Sequence, residues 1–254
     1  MIRVASLLGV LFLSVPSLHM CVAQHTKEPV SLEVATIKPA DPAARNQGFD
    51  TTGRHIKIEN QDLTALIMFA YGVHSKQILD EPKWTHDRYD VSGVLDSGGD
   101  PSREDYQSIV RQLLRERFGL KFHYTKRVLP VYEITIAKNG PHLEKSLADE
   151  AAQPQQTGSS SADARVVHYS NNSMKDFAFG LQYDSDRPVV DKTGLEGRYN
   201  FTLKWTPVTA KPLVDHDYPA LFTAVREQLG LSIKAATSDA EVLAIDEVSP
   251  PSAN

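Results

Sequence analysis

The chain repeats itself at a distance of 111 positions. RVVHYSNN at 165–172, followed by SMKDFAFGLQ, echoes HIKIEN at 55–60, followed by QDLTALIMFA. At this offset Val167 falls on Ile56, Tyr169 on Ile58, Asn171 on Asn60, Met174 on Leu63 and Phe177 on Leu66. LRERFGLKF at 114–122 falls on VREQLGLSI at 225–233 with Arg, Glu, Gly and Leu identical. An offset of 110 carries Arg88-Tyr89 onto Arg198-Tyr199. A period this long signals a duplicated domain and not a solenoid. It constrains architecture, but it brings no catalytic constellation with it.

The first copy reads clearly. Ile56 and Ile58 alternate with Lys57 and Glu59, as in a half-buried strand. Asn60 or Asp62 can accept from the free N–H groups of a helix, whose Leu63, Leu66, Ile67 and Ala70 make one apolar stripe. Tyr71-Gly72 ends that helix, and residues 88–95 form a second strand. Ser102 and Asp105 resemble a capping box. They open an amphipathic helix carrying Tyr106, Ile109, Val110, Leu113, Leu114 and Phe118, which Gly119 suits as a left-handed terminator. Residues 120–124 and 131–136 read as two strands of a hairpin turning at 126–130. In the second copy Tyr199, Phe201, Leu203 and Trp205 alternate, and Leu221, Phe222, Val225 and Leu229 mark the last helix. Residues 231–235 and 241–247 then close the sheet.

The expected fold is therefore α+β: an internally duplicated β-α-β-α-β-β unit with two mixed or antiparallel sheets, packed helices and a pseudo-two-fold. The first repeat spans 31–148, with a leading strand at 31–39 outside the repeated pattern. Residues 149–164 hold no large apolar side chain and read as a flexible linker. The second repeat spans 165–254.

Residues 1–23 read as an export signal: Arg3, an apolar run at 4–15, then Cys21-Val22-Ala23 as a cleavage site. Residues 24–30 are then a tether. The alternative is a lipid anchor on Cys21. The expected location is periplasmic or secreted. A formal charge of −5 with no basic block argues against a nucleic-acid partner. No second apolar segment approaches membrane-spanning length.

SLEVATIKPADP, NQDLTALIMFAYGV, PKWTHDRYDV and LLRERFGLKFHYTKRVLPVYEITIAKNGPHL carry a resemblance, continued by RPVVDKTGLEGRYNFTLKWTP and LFTAVREQLGLSIKA. Together they resemble the soil-associated family of uncharacterised secreted bacterial proteins, a domain of unknown function abundant in acidobacteria. That resemblance implies export and an α+β layout, and it supplies no activity or catalytic residues. Similar domains attached to antibiotic-sensor-type membrane peptidases imply a sensing or binding role outside the cytoplasm. The strand–Asn–helix openings also faintly resemble N-terminal modules of secretins and TonB-dependent receptors.

Searching for chemistry gives mostly structural readings. Lys192-Thr193-Gly194 matches a triplet of penicillin-binding enzymes, but no serine has a lysine three places later. It reads as a turn. Asp215-His216-Asp217 is the densest metal candidate, and adjacent side chains in a strand cannot converge on one ion. His123 reads as a surface histidine. No catalytic residue, metal ligand or cofactor site is assigned. The candidate ligand-binding residues are Arg88, Tyr89, Arg198 and Tyr199, with arginine gripping an anion and tyrosine stacking beside it. The competing reading pairs each arginine locally and packs each tyrosine into the sheet. Tyr71 and Trp84 are candidates to line a groove. The functional expectation is an exported, non-enzymatic binding or interaction module, its ligand an envelope protein or a cell-wall component seated where the halves meet. A secreted hydrolase with an unrecognised active site and a structural envelope component are the alternatives.

Overall fold

The structure, a computed structural model, describes residues 31–51, 53–96, 101–148, 152–161, 163–207 and 218–251. Residues 1–23, read above as an export signal, with Cys21, residues 24–30, read as a tether, and the triplet 215–217 lie outside the described residues.

The protein is α+β, with four helices and several sheets. Its first half runs β1 (Ser31–Pro39), β2 (Gly48–Asp50), β3 (His55–Asp62), α1 (Leu63–Tyr71), β4 (Ile78–Leu79), β5 (Arg88–Asp96), α2 (Arg103–Arg117) and β6 (Lys121–Ile136). The second runs β7 (Glu144–Lys145), β8 (Gln155–Ser160), β9 (Arg165–Asn172), α3 (Met174–Leu181), β10 (Val189–Asp191), β11 (Tyr199–Trp205), α4 (Leu221–Leu229) and β12 (Leu231–Glu247).

Local chemistry sets these boundaries. Asp62 caps α1 by accepting from the Ala65 N–H at 2.8 Å. The stripe Leu63, Leu66, Ile67 and Ala70 is fully buried, and Gly72 closes the helix in the left-handed region. Ser102 and Asp105 form a reciprocal capping box on α2, and Ser173 and Asp176 form the same box on α3.

Strands β1-β5-β3-β2 make an antiparallel sheet, and β7-β11-β9-β8 make another in the corresponding order. A third sheet has the order β10-β6-β12-β4. The expectation of two sheets is thus corrected to three among the described residues. The expected hairpin at 126–130 is absent as well: β6 runs unbroken for 16 residues against the 17 of β12. Thr125 faces Val242 and Pro130 faces Thr237 in that ladder. Pro130 is tolerated because β10 joins the other side of β6 only from Tyr132, which leaves an edge where a missing N–H costs little. The polar residues around it are exposed, so a turn composition here marks a solvated ribbon. In place of the expected closing pair of strands, each stretch thus holds one long strand, β6 and β12.

The stretch read as a linker contains β8, every residue of which is exposed. Gly158 is required there: a Cβ would collide with the Val166 carbonyl oxygen on β9. The leading strand β1 pairs antiparallel with β5, and the short β7 pairs antiparallel with β11.

Two cores result. The first gathers Ile56, Ile58, Leu66, Leu114 and Phe118 and takes Leu243 and Ile245 from β12. The second gathers Tyr169, Phe177, Leu203, Val225 and Leu231 and takes Ile134 from β6. Each long strand begins in its own half and ends in the core of the other.

Candidate ligand cleft between the halves

Arg88 and Arg198 hold matching irregularities. Asn60 and Asn171 adopt φ of 52° and 56°, and both lie at register shifts of their strands. The Asn60 N–H donates to Asp90 Oδ1, and the Asn171 N–H to Asn200 Oδ1, each at 2.9 Å. Arg88 Nη1 donates to the Asn60 carbonyl at 2.8 Å, and Arg198 Nη1 to the Asn171 carbonyl at 2.9 Å. Asn60 and Asn171 each donate a side-chain amide to an alanine carbonyl, Ala44 and Ala152 respectively. Tyr89 and Tyr199 are each 5% exposed. Tyr89 meets Phe118 edge-on at 5.4 Å, and the Tyr199 hydroxyl donates to the Glu196 carbonyl. Tyr89 lies on β5 and Tyr199 on β11, strands of separate sheets.

Arg198 does reach a larger feature. A cleft of about 850 Å3 lies between the halves. One wall is the end of α1 (Tyr71, Gly72) and α2 (Arg103, Gln107, Arg111); the other is α3 (Lys175, Asp176, Phe179), Val189 to Asp191, and Arg198. Arg88, Tyr89 and Tyr199 do not line it. Arg111 Nη1 and Gln107 Nε2 donate to the Ala70 and Phe69 carbonyls, satisfying the exposed C-terminal end of α1. Asp176 organises the opposite wall. Its Oδ2 accepts from the N–H and hydroxyl of Ser173, while its Oδ1 accepts from Arg103 Nη2 across the junction at 2.8 Å. Arg198 Nη1 approaches the same carboxylate at 3.5 Å. The Arg103 guanidinium lies 5.4 Å from the centre of the Phe179 ring, a cation–π contact between the halves.

A second cavity, about 560 Å3, shares Arg103, Gln153, Pro154 and Phe179 with the first, so the two adjoin. A third cavity, about 820 Å3, is walled by the aromatic side chains of Tyr132, Tyr183, Trp205 and Phe222. Arg165 pairs there with Asp184 and stacks at 5.5 Å over Trp205. Burial pushes the Asp184 carboxyl above its ordinary range, opposed by that arginine.

Tyr71 lines the cleft, whereas Trp84 packs on the first core. At the Lys192-Thr193-Gly194 triplet, Asp191 accepts from the Thr193 N–H and hydroxyl and Gly194 sits at φ 67°, as expected of a turn. His123 is exposed and pairs with Asp246 at 2.8 Å. Among the described residues no group of three or more His, Cys, Asp or Glu side chains is placed to hold a metal. No helix among them is long and apolar enough to cross a membrane. Arg103, Asp176 and Phe179 escape sequence reasoning: Arg103 and Asp176 are 73 positions apart, and nothing in their spacing joins them.

Fold and cleft together describe an α+β protein with a polar seat between two halves. The chain belongs to DUF3738, a family of proteins of unknown function, whose model matches residues 64–248. No curated protein and no solved structure matches it.

Proposed function

We propose that the protein is an exported, non-catalytic binding module, built by internal duplication, whose ligand seat is the cleft between its halves. The observation that carries this reading is the cleft itself, concave, adjoining a second cavity and furnished with cations and an aromatic face. Export rests on the character of residues 1–23. The partner class is an envelope protein or a cell-wall component.

Duplication is supported by contacts that map onto themselves when 111 is added or subtracted. Ile78 pairs in parallel with Leu243, and Val189 pairs in parallel with Tyr132. His74 Nε2 meets the carbonyl of Ser185, 111 positions on, at 3.1 Å. On this reading β7 opens the second unit, and residues 149–164 belong to that unit and do not separate it from the first.

The test is affinity capture of the tagged protein from the envelope fraction after crosslinking, comparing wild type with Ala240→Trp. Ala240 lines the cleft, and an indole there occupies it. A recurrent adduct present with wild type and lost from Ala240→Trp is expected. Equal capture by both proteins overturns the cleft as the seat.

A further inference from the structure

Resting on the cleft as the ligand seat, we infer that its ligand carries an oxyanion, carboxylate or phosphate, gripped by Arg103 from one half and Arg198 from the other. Arg103, Arg111, Lys175 and Arg198 line the cleft, with Glu104, Asp176 and Asp191 as its carboxylates. Those three carboxylates are already committed. Glu104 pairs with Arg111, and Asp191 closes its own turn through Thr193. Asp176 accepts from Ser173 and is shared by Arg103 and Arg198.

The sharing matters. One carboxylate faces two guanidiniums, so it anchors both in position while balancing only one of their charges. The Arg103, Arg198 and Asp176 side chains are 27%, 33% and 20% exposed, shielded enough to strengthen an ionic contact and open enough to admit one. Each guanidinium has five N–H donors in a rigid fork matching the spacing of oxyanion oxygens. Among the described residues, Arg198 Nε and Nη2 make no hydrogen bond. Lys175 has no partner among them either, and stands beside Asp176 as a third cation. Phe179, with its ring centre 5.4 Å from the Arg103 guanidinium, offers an apolar surface for the rest of the ligand.

The experiment is titration calorimetry of the intact protein with citrate, with pyrophosphate and with trehalose as a neutral control, at low and at physiological ionic strength. Citrate or pyrophosphate is expected to bind and trehalose is not; which anion binds separates a carboxylate ligand from a phosphate one. Added salt should weaken the binding. Arg103→Gln and Arg198→Gln should each weaken it about tenfold or more, the loss of a charge-assisted contact. Lys138→Gln, in an exposed turn outside the cleft, should leave it unchanged. Should either cleft arginine variant fail to fold, Lys175→Gln, which removes no described contact, still tests the idea and should weaken binding about threefold. Absence of binding by both anions, or equal affinity in all folded variants, overturns the inference. If both anions fail while Ala240→Trp still abolishes the crosslinked adduct, the ligand is neutral and the cleft remains its seat. If the adduct is also insensitive to Ala240→Trp, both readings fall.

Discussion

A handful of side chains hold the halves in place, and His74 is the most exacting of them. It is 3% exposed. Its Nδ1 accepts the Lys76 N–H at 3.1 Å, so the proton sits on Nε2 and is donated to the Ser185 carbonyl. Burial holds its pKa below the usual 6.5, with Lys76 acting in the same direction and the Ser185 carbonyl and Asp186 opposing. The unfolded chain therefore binds a proton at a pH where the folded chain does not. Stability is full above about pH 6.5 and falls as pH drops through that value toward the folded one. Urea midpoints across this range should decline on acidification in wild type and decline less in His74→Asn. Identical slopes would remove His74 from the junction's pH response. Asn60 and Asn171 make a second residue-scale case. A β-branched side chain resists positive φ, so Asn171→Val should cost roughly 2 kcal/mol or more in urea denaturation, with Asn171→Gly costing less.

At the scale of elements, helices were legible and long strands were not. The stripe from Leu63 to Ala70 and the Ser102–Asp105 box follow from local rules, because helix caps and i, i+3, i+4 spacing involve only near neighbours. The sequence of β6 reads as a hairpin because its middle has the composition of a turn, and only β12, more than a hundred residues away from that middle, makes it one strand. β8 reads as a linker for the same reason: its exposed polar residues are held by backbone pairing to β9, which composition cannot register. The site divides in the same way. Arg198 could be picked from its repeated Arg-Tyr pair, but Arg103 and Asp176 meet only through the fold. The α3 box predicts that Ser173→Ala lowers stability by about 1 kcal/mol, measured by urea denaturation. A change within about 0.2 kcal/mol would mean that Asp176 is held by its arginines alone.

For the molecule as a whole, the crossed strands make the halves interdependent. Leu243 belongs to β12 yet lies fully buried in the first core, and Ile134 of β6 is fully buried in the second. Leu243→Ala should therefore cost about 2–5 kcal/mol, although it lies far along the chain from most of the core it fills. Residues 31–148 and 149–254 expressed apart should each fail to unfold cooperatively, and mixing them should restore a cooperative transition by circular dichroism. Cooperative unfolding of either piece alone would contradict the exchange of strands.

The most direct measurement is site-directed photo-crosslinking from two positions of α2 in cells. Gln107 faces the cleft, and Glu116, on the same helix, is exposed and outside it. The expected result is one discrete adduct from position 107 and none from position 116. Equal labelling from both positions, or none from position 107 while position 116 reacts, would contradict a ligand seated between the halves.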